Sequence, residues 1–130
     1  MRLKALLGLT LVMALAAPAF GQSFVGEWTA TATTATGKTT EIVKVFKVGN
    51  GFVITAKLIG VPDGTPEAGP GTDIVLDGDH FSYKRSLTLP NGAPLVITYS
   101  GVVSGDTFTG TADLGFAKTT YTGVRIKHAS

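Results

Sequence analysis

The sequence predicts an all-β fold, an eight-stranded antiparallel up-and-down β-barrel, preceded by a cleavable signal peptide. Three observations carry this expectation. Short runs rich in Thr, Val, Ile, Phe and Tyr alternate with turns of Gly, Asn, Asp and Pro. Downstream of the leader no stretch has helical periodicity. The first residues follow the order of an export signal.

The leader opens with a positive segment, Met1-Arg2-Leu3-Lys4. An apolar run from Ala5 to Ala17 follows, interrupted only by Gly8 and Thr10. Ala17-Pro18-Ala19-Phe20-Gly21 then supplies the small residues of a processing site. The expected cut lies before Gln22, with a cut after Ala19 as the alternative. The apolar run is shorter than the roughly 20 residues needed to span a bilayer, so no membrane anchor is expected. No cysteine stands near the cut, which excludes a lipoprotein anchor. The short apolar run is of bacterial type, and the expected location is periplasmic or secreted. Residues 1–21 are thus expected to be a signal peptide and residues 22–130 a single domain.

Loss of Arg2 and Lys4 with the leader reduces eleven basic residues to nine, against nine acidic ones. The remaining charges are interspersed, so no nucleic-acid footprint is read from them. A domain of this size buries roughly 65% of its unfolded surface, enough for a core without staples. The chain contains no cysteine, which removes disulfide, thiolate and Cys–metal chemistry.

The strands are expected in the following order. The first is Phe24–Thr34, ending near Ala35-Thr36-Gly37-Lys38, and the second is Thr39–Val48, ending in the tight turn Gly49-Asn50-Gly51. The third is Phe52–Gly60. A loop from Pro62 to Thr72 follows, with three prolines and three glycines. Asp73–Leu76 is a short fourth strand before Asp77-Gly78-Asp79, and His80–Leu89 is the fifth before Pro90-Asn91-Gly92-Ala93. Pro94–Val103, Thr107–Leu114 and Thr119–Lys127 complete the set, linked by Ser104-Gly105-Asp106 and Gly115–Lys118. Short Gly, Asn and Asp turns join neighbours as antiparallel hairpins. Closing the meander into a barrel removes the unpaired edges of an open sheet.

Alternation along each strand assigns the faces. On the fifth strand Phe81, Tyr83, Arg85, Leu87 and Leu89 share the inward face. Leu95, Ile97 and Tyr99 do so on the sixth, Tyr121 and Arg125 on the eighth, and Phe24 and Trp28 on the first. An inward Arg85 needs a partner. It either binds a ligand carboxylate, together with Tyr83, Tyr99 and Tyr121, or pairs with an internal acid such as Glu27 or Glu41, or reaches out at a rim.

Gly26-Glu27-Trp28 in the first strand and Arg125 in the last resemble the calycin barrels, the lipocalins and fatty-acid-binding proteins. The resemblance implies that Arg125 packs across the indole of Trp28 and closes one barrel end, with Gly26 part of that structural closure. Phe81-Ser82-Tyr83, the segment Tyr99 to Asp106, Thr109-Gly110-Thr111 and Tyr121-Thr122-Gly123-Val124-Arg125 resemble lipocalin-like domains of bacterial secreted proteins. Such domains also occur appended to secreted hydrolases. The chain departs from the calycin pattern in having no helical lid, no disulfide and no C-terminal helix in its sequence. The resemblance implies a fold more than a function, and no catalytic residue is carried over.

Little else in the sequence points to catalysis. His80 follows a turn, His128 lies near the C-terminus, and no Gly-x-Ser-x-Gly elbow is present. Asp77, Asp79 and His80 read as a hairpin turn, because calcium needs six or more oxygens. Asp63, Glu67 and Asp73 of the long loop are read the same way. No metal, cofactor or enzyme activity is expected. Two functional readings remain. One is a carrier of a small hydrophobic or anionic ligand, with Pro62–Thr72 as its gate. The other is a structural or protein-interaction module with a barrel filled by side chains.

Overall fold

The computed structural model describes residues 22–34 and 37–128; the expected signal peptide and the Ala35-Thr36 turn lie outside the described residues. Eight antiparallel strands follow one another: β1 (Gly26–Thr34), β2 (Gly37–Val48), β3 (Gly51–Ile59), β4 (Thr72–Asp77), β5 (His80–Thr88), β6 (Pro94–Ser104), β7 (Thr107–Asp113) and β8 (Lys118–Arg125). The sheet order is β3-β2-β1-β8-β7-β6-β5-β4, so the first and last strands, β1 and β8, pair with one another. The architecture is an all-β, nearly closed up-and-down barrel.

Closure is incomplete at one seam, contrary to the full closure expected from sequence. β3 and β4 share no strand ladder. β4 is only six residues long, its register shifts between Thr72 and Val75, and Asp73 has φ 50°. The end of the long loop takes the place of a ladder there. Gly71 N–H donates to Ile54 O at 2.8 Å, and Gly69 N–H donates to Ser86 O at 2.8 Å. Glu67 Oε1 accepts from Leu58 N–H at 2.8 Å, a second bond to β3, while the Gly69 bond ties the loop to β5. Gly71 passes so close to β3 that an added Cβ would lie 3.0 Å from Ile54 Cβ.

The interior is graded from one end to the other. The packed end begins with a 3₁₀ turn, Gln22–Phe24, where sequence alternation had extended the first strand. The turn carries the Phe24 ring into the barrel, stacked on Phe81 at 4.1 Å. Phe108 meets Phe24, Phe81 and Trp28 edge-on, the geometry that aromatic quadrupoles favour. Phe108 lies over Gly123, where any side chain would collide with its ring. Val43, Val45, Ile54 and Val103 complete this layer, all buried.

Arg125 lies across this end. Its guanidinium carbon stands 4.2 Å from the Trp28 ring centroid. Nη1 donates to Val25 O and Nη2 to Ser23 O, each at 2.8 Å, and Nε donates to Asp106 Oδ1 at 3.1 Å. Gly26 makes room for it: φ is +135°, and a Cβ there would lie 2.7 Å from Arg125 Nη1. The indole N–H of Trp28 donates to Phe24 O at 3.0 Å, so the buried ring leaves no polar group unpaired.

Candidate functional site

Above the aromatic layer the inward positions of β5, β6 and β8 place three tyrosines side by side. Tyr83 stacks on Tyr99 at 4.9 Å, and Tyr99 meets Tyr121 at 4.7 Å. The Tyr83 and Tyr121 hydroxyls share a hydrogen bond of 2.7 Å. Burial pushes the phenols of Tyr83 and Tyr121 far above the ordinary tyrosine value, and that of Tyr99 upward as well. All three stay neutral and fill the middle of the barrel.

The next inward position on β5 is Arg85, and on β2 it is Glu41. Of the alternatives the sequence left open, the internal ion pair with Glu41 is the one present. Arg85 Nη1 donates to Glu41 Oε2 at 2.9 Å and to Oε1 at 3.2 Å. Glu27 instead sits beside His128, with Oε1 3.3 Å from its Nε2. The rest of the Arg85 fork is taken up by the long loop: Nε donates to Gly69 O at 2.8 Å and Nη2 to Ala68 O at 3.1 Å. The Tyr121 hydroxyl donates to Glu41 Oε1 at 3.4 Å. A fixed chain therefore runs from Tyr83 through Tyr121 and Glu41 to Arg85 and the loop.

Beyond this layer the barrel is not filled. A cavity of about 340 Å³ opens at the end opposite Trp28. Ala32, Leu58, Leu87, Ile97, Ala112 and Leu114 form apolar walls, and Glu41, Arg85 and Tyr99 form a polar floor. Thr65, Pro66 and Ala68 of the long loop contribute to one side. Small residues at Ala32 and Ala112 leave the space that large ones occupy at the packed end. Thr119 also lines the cup, and its buried hydroxyl has no hydrogen-bond partner among the described residues.

The structure thus groups the sequence-predicted residues in two places. Tyr83, Arg85, Tyr99 and Tyr121 form one connected cluster, of which Arg85 and Tyr99 reach the cup. Gly26, Trp28 and Arg125 form the opposite, closed end. Leu58, Ala68, Ala112 and Thr119 were not singled out from the sequence. Glu41 carried a legible signal, a carboxylate on the same alternating face as Val43 and Val45. The loop carbonyls carried none, because any residue supplies one.

Among the described residues no group of three or more His, Asp or Glu is placed to hold a metal ion. His80, Asp77 and Asp79 lie at the β4–β5 turn, where His80 pairs with Asp77 in register.

No protein-family model matches the chain, and no curated protein matches it. A solved structure described as a redesigned beta barrel is similar to it, with TM-score 0.60 and 15% identity, over 84% of this chain and 96% of that one. At that identity the likeness shows the fold alone, an eight-stranded antiparallel barrel that closes almost completely.

Proposed function

We propose that this is an exported, non-catalytic β-barrel that holds one small, partly apolar molecule in the cup above the Glu41–Arg85 pair. One observation carries the reading: the barrel is packed solid at one end and left open, with apolar walls and a fixed polar floor, at the other. A scaffold serving only its own stability gains by filling such a space with side chains. Ligand sites have this composition, mostly apolar with a few convergent polar groups. The calycin resemblance of Gly26, Trp28 and Arg125 supports the same reading, as does the leader, which directs the domain to the periplasm or the exterior.

The test is native mass spectrometry of the protein recovered from its own export compartment. The expected species is a chain starting at Gln22 that carries a small organic molecule released on unfolding. A ligand-free protein that no small organic compound stabilises thermally would overturn the carrier reading. The interaction-module reading would then stand on the exposed Val75 and Val102, which border a shallow groove outside β4–β7.

A further inference from the structure

Taking the cup as the binding site, we propose that it selects a neutral molecule that donates a hydrogen bond, and that Glu41, not Arg85, reads that donor. Three features of the floor lead there.

The first is the state of Arg85. Its Nε, Nη1 and Nη2 all donate to fixed acceptors, namely Gly69 O, both Glu41 oxygens and Ala68 O. A carboxylate ligand could engage the fork in bidentate fashion only by displacing Glu41 or by breaking bonds that hold the loop to the barrel. The second is the state of Glu41. A carboxylate offers about four lone-pair positions. Arg85 Nη1 and the long bond from Tyr121, at 3.4 Å, leave acceptor capacity unused. The third is access. The Glu41 side chain is 11% exposed and that of Arg85 only 2%, so a guest in the cup meets the carboxylate first.

Charge follows from the same geometry. Glu41 and Arg85 neutralise one another at 2.9 Å. An anionic guest would add a like charge beside Glu41, and a cationic guest would lose hydration at a floor with no net charge to offset it. A hydroxyl or amide N–H fits without either penalty. The volume, at the small end of the range for organic ligands, suits an alkylphenol or a medium-chain alcohol.

The experiment titrates the intact domain at neutral pH with four probes sharing one body: 4-propylphenol, its methyl ether, 4-propylbenzoate and 4-propylbenzylamine. Binding is read by calorimetry and thermal shift on wild type and on Ala112→Leu, which adds bulk to the cup from its β7 wall, beside Tyr99, and leaves both Glu41 and Arg85 in the chain. The phenol should bind about tenfold more tightly than the ether, which keeps the body but lacks the donor. It should also bind more tightly than the benzoate and the amine, and lose its binding in Ala112→Leu. Tightest binding of the benzoate, the amine or the ether would overturn the assignment of a neutral donor while leaving the cup as a binding site. Phenol binding that survives Ala112→Leu would place recognition elsewhere and overturn it too. Failure of all four probes to bind would count against the cup itself, and with it both proposals.

Discussion

Arg85 remains charged inside the barrel because every arm of its guanidinium meets an oxygen. Such a pair adds little net stability, but removing one partner leaves an uncompensated buried charge. Arg85→Leu should therefore destabilise the domain by about 3 kcal/mol, and the double variant Glu41→Leu with Arg85→Leu should recover most of that loss. Urea melts of the three proteins check this; equal stability of the single and double variants would show that the pair is not coupled. At the other end Arg125 covers the indole and ties Ser23, Val25 and Asp106 together. Arg125→Ala should cost about 2 kcal/mol and shift the emission of Trp28, the single tryptophan. Asp106 holds this corner from outside, its carboxyl kept below the usual range by hydrogen bonds from Lys127 and then Arg125.

Among the elements, the segment from Gly60 to Gly71 does two jobs that a strand ladder and a lid would otherwise share. It seals the β3–β4 seam through Gly69 and Gly71 and presents Thr65, Pro66 and Ala68 to the cup. Its hold on the barrel depends on close approach at Gly71, where a Cβ would press on Ile54 and lie 3.4 Å from Tyr83 Cδ2. Gly71→Ala should displace the end of the loop and cost about 1 kcal/mol. Hydrogen exchange at residue 71 should accelerate, because the bond to Ile54 O lengthens, while exchange in the β1–β8 ladder stays unchanged. Faster exchange spread evenly over all strands would show that the seam has no independent stability.

For the molecule as a whole, the buried tyrosines couple folding to alkaline pH. The folded-state values of Tyr83 and Tyr121 lie above the ordinary 10.0, chiefly because burial disfavours the phenolate. A raised value means that the native state keeps protons that the unfolded chain releases. Stability from this source is therefore complete below pH 10 and declines as pH rises beyond it, by about 1.4 kcal/mol per pH unit for each phenol. Denaturant melts between pH 8 and about pH 11.5 should show a plateau and then a fall. Absorbance of phenolate should appear only with unfolding. Ionisation of all three tyrosines before loss of structure would show that the cluster is open to water.

The amino-acid sequence by itself determined the strand count, their order and which side chains face inward. These follow from local rules: alternation sets the face, and short Gly, Asn and Asp turns make neighbours antiparallel. Phe81, Tyr83, Arg85, Tyr99 and Tyr121 are inward for that reason. What lies opposite what across the barrel was not legible, because it depends on stagger and closure rather than on any one strand. Only the tertiary structure decided that Arg85 meets Glu41 rather than Glu27. Only it decided that Phe24 enters from a 3₁₀ turn, that a loop seals the last seam, and that the interior is filled at one end and hollow at the other. The physical reason is one of range: hydrogen-bonded turns and side-chain alternation act over a few residues, whereas a cavity is the space left when eight strands have all been placed.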